Sequence, residues 1–330
     1  MAVVAGVDKP TAAQYNSVQS TINTVLATNY GQTLNSSQIA LPATSTKITS
    51  TAWGNLRADI LRANRHQLNP AAVGTLTNPT TSTVIAAVDY NAYETMANAC
   101  LTNSLLFPDN STISTSSQIV NSPWAPANGA WGRSGRNTLA VTLILNGVGG
   151  SSTVETNYFF NSGGQLRISA TFTGGTIATS GTKDFSWKSA VNEMGTIIFG
   201  KNSTRTLAGA TGAGTGSNIG FSQLNTNWQL IFTKNTSTYT PNKITIHAKT
   251  FTVTDVVSNL PQFKIAFVVQ YQDLNDPGGT YTIDEDVGAT NNTYVTAYHG
   301  SGTGEVDVTA YKPVAGPGLG GAVQNGPNPA

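Results

Sequence analysis

The sequence predicts an α+β protein, mainly β: a small helical N-terminal region followed by an antiparallel β-sandwich or jelly-roll-like domain. Three observations lead there. Apolar stripes at helical spacing occupy the first hundred residues. From about Thr138 the chain turns to β-branched and aromatic runs divided by Gly- and Asn-rich turns. A Pro- and Gly-rich stretch lies between the two. The expected organisation is a helical attachment region over 1–107, a linker over 108–137, a β-sandwich over 138–312 and an extended tail over 313–330.

The first helix is announced by Pro10 and by Thr11-Ala-Ala-Gln14, the pattern of a capping box. Tyr15, Val18, Ile22 and Val25 then fall on one face, and Gly31 closes the unit. A second helix starts at Ser50 or Thr51 and turns Trp53, Leu56, Ile60 and Leu61 inward. Arg57, Asp59, Arg62 and Arg65 would form its wet face, and Pro70 its stop. A third opens on Asp89 as N-cap and runs through Tyr90, Tyr93, Ala97 and Leu101. Tyr15, Trp53 and Tyr90 are the aromatics through which these helices would attach to a larger body, or else the core between them. Cys100, the single cysteine, reads as a small core residue and allows no intrachain disulfide.

The linker holds Pro108, Pro123, Pro126, Gly129, Gly132 and Gly135, with Trp124 and Trp131 pinning it against a neighbour. Next, 138–145 and 153–160 read as a hairpin about Asn146-Gly-Val-Gly-Gly150. Asn161-Ser-Gly-Gly164 would turn the chain into the strand 165–172. A brief helix over 186–194 carries Trp187, Val191 and Met194. Later strands fall at 228–233, 243–253, 263–272, 281–283, 293–298 and 305–311. The segment 208–220, rich in Gly, Ala and Ser, reads as a loop. The tail is too rich in Pro and Gly to form a packed element.

Composition narrows the function. Lys and Arg number 17 against 16 Asp and Glu, so no net charge invites nucleic acid or an anionic membrane. Charged residues are only 10% of the chain, against about 25% in ordinary soluble domains. No apolar run reaches the ~18 residues that span a bilayer. Met1–Gly6 lacks a signal peptide's basic and apolar regions, so synthesis and assembly in a cytoplasm are expected. His66, His247 and His299 stand alone rather than in zinc-binding pairs. No serine-hydrolase elbow is present, and Gly212-Ala-Gly-Thr-Gly216 lacks the Lys-Ser/Thr of a phosphate loop. Five carboxylates cluster at Asp273, Asp276, Asp284, Glu285 and Asp286. A solvated turn is the plain reading; calcium at Asp273 and Asp276, or a glycosidase pair, are the chemical alternatives. Neither catalytic nor metal-binding nor cofactor residues are assigned, and the expectation is a non-enzymatic structural or binding protein.

Several blocks carry a family resemblance. Thr11-Ala-Ala-Gln-Tyr-Asn16, Tyr30-Gly-Gln32, Trp53-Gly-Asn-Leu-Arg-Ala-Asp-Ile60 and His66-Gln67 lie in the helical part. Tyr158-Phe-Phe-Asn-Ser-Gly-Gly-Gln-Leu-Arg167, Trp187 and Gly195-Thr196 lie beyond it. Together they resemble virion structural proteins of tailed bacteriophages, marine and cyanobacterial phages above all, including tail-fibre-like and decoration-type proteins. The resemblance implies a virion component without catalysis, assembled in the host cytoplasm. It implies contacts with other virion proteins and with copies of itself, a trimer foremost. Binding to a host-surface glycan, with Tyr239, Tyr271, Tyr281 or Tyr298 as sugar platforms, is the alternative. No nucleic acid, membrane or cofactor is implied.

Overall fold

The computed structural model describes residues 9–36, 41–42, 48–68, 74–80, 85–104, 117–124, 135–145, 153–207, 210, 212, 214–236, 239, 242–254, 261–273, 290–298, 306, 313–315 and 321–324. It contains helices and two antiparallel sheets, divided between two compact units. The first unit comprises Met1–Thr115, Asn157–Gly164 and His299–Ala310; the remainder of the chain forms the second.

In the first unit, α1 (Ala12–Asn23) begins as its sequence signals. The Gln14 N–H donates to Thr11 Oγ1 at 3.3 Å while the Thr11 N–H donates to Gln14 Oε1 at 2.9 Å, which satisfies two helix-start donors reciprocally. The Thr21 and Thr24 hydroxyls bond carbonyls four residues back, and there the helix widens into a π-helical segment, Thr24–Asn29. The wider turn carries both Val25 and Leu26 into the core. Helix α2 (Ser50–Gln67) starts from Thr49, whose Oγ1 accepts from the Ala52 N–H at 3.1 Å. Helix α3 (Ala87–Thr102) starts two residues before the expected cap. Asp89 sits in its first turn and accepts from the Ala86 N–H at 3.0 Å and the Thr77 hydroxyl at 2.6 Å.

Tyr15, Trp53 and Tyr93 form a chain of edge-to-face rings, with centroids 5.0 and 5.3 Å apart. Tyr15, Trp53 and Tyr90 are all buried, so they make the core of this unit and present no attachment surface. The expected wet face of α2 is corrected at Asp59, which is fully buried. Its carboxylate accepts from the Asn35 and Ser36 backbone N–H groups at 2.9 and 2.7 Å and from Asn35 Nδ2 at 3.0 Å. Arg62 lies 3.5 Å from that carboxylate and donates to the Thr33 carbonyl, while Arg57 donates to the Leu76 carbonyl. Both arginines therefore pin loops, and only Arg65 is exposed.

In the second unit one sheet runs β1 (Ser117–Trp124), β10 (Thr290–Tyr298), β3 (Gln165–Thr173), β4 (Ile197–Phe199), β5 (Thr204–Thr206). The other runs β11 (Pro313–Ala315), β2 (Gly135–Leu145), β9 (Pro261–Asp273), β8 (Lys243–Thr254), β7 (Gln229–Asn235), β6 (Thr215–Gly216), with β12 (Gly321–Gln324) also on β2. Three sequence expectations are corrected here. Part of the linker is strand β1, paired to β10 across some 170 residues of chain. The tail supplies β11 and β12, both held by β2. The loop 208–220 contains β6, paired to β7. In each case a non-local ladder satisfies backbone groups that the local composition left without a partner. The strands expected at 281–283 and 305–311 lie outside the described residues, Val306 excepted.

Helix α5 (Lys183–Met194) starts at the Thr182 cap, three residues before the expected helix, and packs on β3. Its Trp187 stacks on Phe172 and meets Tyr271 edge-on at 6.0 Å. Phe199 of one sheet meets Phe267 of the other at 5.1 Å, and the Tyr271 and Thr293 hydroxyls share a hydrogen bond at 3.0 Å. On β8, Ile244, Ile246 and Ala248 are fully buried on one face, with Thr245, His247, Lys249 and Phe251 alternating on the other.

Asp59→Asn turns an acceptor of three hydrogen bonds into a group that opposes N–H with N–H. We expect a loss of about 1–3 kcal/mol by urea unfolding.

Candidate functional site

The C-terminal ends of the helices in the first unit meet, and side chains there close carbonyls that a helix end leaves without partners. Tyr30 donates its hydroxyl to the Ser104 carbonyl just past α3, at 2.7 Å. Gln67 Nε2 donates to the Cys100 carbonyl in the last turn of α3 and to Tyr30 Oη, both at 2.8 Å. Asn161 Nδ2 donates to the Asn29 carbonyl at the end of the π-helical segment, at 3.1 Å. His66, in the last turn of α2, lies 2.7 Å from the Ser162 carbonyl, which fixes Nε2 as the protonated nitrogen. The Tyr30 ring packs edge-on against His66 at 5.2 Å.

Asn161 and Ser162 reach this cluster on a helix that the sequence had predicted as a strand. Residues 153–160 fold as part of α4 (Thr153–Asn161), and Asn-Ser-Gly-Gly is its stop rather than a hairpin turn. The Gly164 N–H returns to the Phe159 carbonyl at 2.9 Å and the Gly163 N–H to the Phe160 carbonyl at 3.1 Å, with Gly163 at φ 85°. This is a Schellman stop, in which the left-handed residue must be one that tolerates positive φ. Phe159 and Phe160 are fully buried, and Gly31, at φ 65°, lets Tyr158 lie so close that an added Cβ would sit 2.6 Å from its ring. The Asn-Ser-Gly-Gly block is thus part of a clasp that completes the helical unit.

Burial pushes the His66 imidazole down to about 4, against a smaller opposite pull from the Ser162 carbonyl. It pushes the Cys100 thiol up to about 12, which makes this cysteine unreactive at neutral pH. Burial raises the Tyr15, Tyr90 and Tyr93 phenols to about 12, so all three stay protonated as donors. They give those protons to the Ala52 carbonyl, Glu94 and the Thr77 carbonyl respectively.

Among the described residues the remaining candidates do not converge. His247 stands on β8 of the second unit, and His299 lies outside the described residues. Asp273 ends β9, while Asp276, Asp284, Glu285 and Asp286 lie outside the described residues. Among the described residues no three His, Cys, Asp or Glu are grouped as a metal site would need. Tyr239 and Tyr271 are buried and offer no sugar platform; Arg167 covers the Tyr298 ring at 4.0 Å, and Tyr281 lies outside the described residues.

The surface of α3 is a different matter. Val88 is 65% exposed, and Ala92, Thr95 and Ala99 on the same side of the helix are exposed as well. Beside this face a groove of about 470 Å³ is lined by Asn64, Leu76, Ala92, Thr95, Met96 and Ala99, among others, with no charged residue. Asn64 brings a buried amide oxygen that has no hydrogen-bond partner among the described residues. Sequence reasoning missed this face, although Val88, Ala92, Thr95 and Ala99 repeat at helical spacing opposite Tyr90, Tyr93 and Ala97. No family model, curated protein or solved structure matches the chain.

His66 makes stability pH-dependent with a defined sign. The imidazole is neutral in both states above pH 6.5. Between pH 6.5 and about 4 the unfolded chain takes up a proton that the folded chain refuses. Stability is therefore lost as pH falls, by about 3 kcal/mol at most. Urea midpoints measured across that window should fall for the natural chain and stay flatter for His66→Gln.

Proposed function

We propose that this chain is a structural component of a tailed-phage virion, in a tail or neck appendage, a fibre or a head decoration. It acts through protein–protein contacts, as a homo-oligomer, without catalysis and without a cofactor. In this reading the two sheets of the second unit form a β-sandwich that packs against copies or projects outward. The resemblance of the blocks at 11–16, 53–60 and 158–167 to virion proteins supports the assignment.

The observation that carries the mode of action is the uncharged apolar face of α3, since exposed apolar patches mark contact surfaces. Attachment through this face replaces attachment through Tyr15, Trp53 and Tyr90, which are used up in the core. A low charge density also lets identical copies approach with little mutual repulsion.

The single buried cysteine makes a direct test available. With Cys100 inert, Val88→Cys carries the only reactive thiol. Maleimide should label the free Val88→Cys protein and leave position 88 unlabelled in assembled particles. Mass spectrometry of purified particles that finds none of this chain would end the proposal, and equal labelling in both states would remove α3 as the contact face.

A further inference from the structure

On the face of β7, β8 and β9 turned away from Ile244 and Ile246, Leu230 is exposed and Trp228, His247, Lys249, Phe251 and Lys264 are half-buried, while Ala266 and Val268 of β9 are buried. Pairing registers set it out: Leu230 opposite His247, His247 opposite Val268, Lys249 opposite Ala266, and Phe251 opposite Lys264. The alternate residues Ile244, Ile246 and Ala248 are spent on the core, so these side chains point the other way. Leu230 is 47% exposed, an unusual condition for a leucine on a regular strand. Lys249 holds its ammonium 4.6 Å over the Trp228 ring and 5.7 Å from the Phe251 ring. A cation fixed between two aromatic rings has lost much of the freedom that binding would otherwise remove.

The charge on this face is one-sided. No Asp or Glu occurs in 228–235, 243–254 or 261–272. Lys243, Lys249 and Lys264 are in no ion pair among the described residues. Lys234 does have a carboxylate, Glu193 at 2.7 Å, but it alternates to the opposite face, in register with buried Ile244. His247 stands in the same row, half-buried, with its Nδ1 buried.

We propose that this face, centred on Trp228, Lys249, Phe251 and Lys264, binds an acidic polysaccharide, its rings lying on the aromatic side chains and its carboxylate or sulfate groups against the lysines. The setting rests on the reading of the chain as a virion component, where such a polymer would be a cell-surface material; the chemistry rests on the face alone. Aromatic rings accept the apolar C–H faces of sugars, and flanking ammonium groups select polymers that carry anions. A nucleic acid fits less well. Lys243 and Lys249 are six residues apart on one strand, roughly 20 Å, a span over which duplex DNA presents about twelve charges.

The test uses the full chain on immobilised alginate, a sulfated galactan and neutral dextran, with duplex DNA as a fourth ligand. Binding to alginate and galactan, weakened by salt, with little on dextran, is the expected result. Trp228→Ala should lower affinity about tenfold or more. Lys249→Gln should weaken binding and reduce its salt dependence, with Lys264→Gln as a second cation removal if Trp228→Ala does not fold. Equal binding to dextran, no binding to either acidic polymer, tighter binding to DNA, or folded variants that bind like the natural chain would each overturn the proposal. A chain located in virions that ignores both acidic polymers would sink this face and leave the virion assignment standing. A chain that binds them but is absent from virions would do the reverse.

Discussion

The helical unit depends on how it disposes of carbonyls at the ends of its helices. Each helix leaves its last C=O groups without intrahelical donors, and burying one unsatisfied costs about 1–3 kcal/mol. Here those ends converge, and Tyr30, Gln67, His66 and Asn161 supply the donors. Burial explains why the donors are neutral: an ammonium or guanidinium in their place would carry a large desolvation penalty. It also explains His66, which must remain uncharged although cations are favoured near helix C-termini. Desolvation is the larger effect at this position.

Two of these contacts come from α4, so the clasp Asn157–Gly164 ties the helical unit to a stretch far along the chain. The N-terminal helices are therefore not a module threaded onto the front of a β domain. Their core is finished only when the chain has passed through β2 and folded α4. That arrangement leaves α3 with its outward face uncovered, a face without charge on a protein that uses charge sparingly. In the second unit the few charges are placed rather than scattered: Lys234 is paired with Glu193, whereas the outer row of lysines meets no carboxylate among the described residues.

Local signals were legible where local physics decides. Thr11 and Gln14 announce the capping box, and the alternation from Lys243 onward announces β8. The sequence misled wherever distant partners decide. Thr-Val-Glu-Thr-Asn-Tyr-Phe-Phe has the β-branched and aromatic content of a strand, yet it is helical because Phe159 and Phe160 are buried and Gly163 ends the turn. Asn-Ser-Gly-Gly serves equally as a hairpin turn or a Schellman stop, and only its partners in space distinguish the two. Asp59 looked solvated because its partners, the Asn35 and Ser36 amides, lie more than twenty residues upstream. Strand β1 hid among prolines because its ladder belongs to β10. The candidate surfaces were half legible: the spacing of Val88, Ala92, Thr95 and Ala99 was present, but a small-residue stripe reads as core until the opposite face is seen to be the buried one.

The most direct test is urea unfolding of residues 1–115 alone, followed by helical circular dichroism, with and without a synthetic peptide spanning 153–166. If the clasp completes the core, the fragment shows no cooperative transition by itself and gains one when the peptide is added. A cooperative transition in the fragment alone, at the midpoint of the helical unit in the whole chain, would show that the clasp is dispensable and contradict the account.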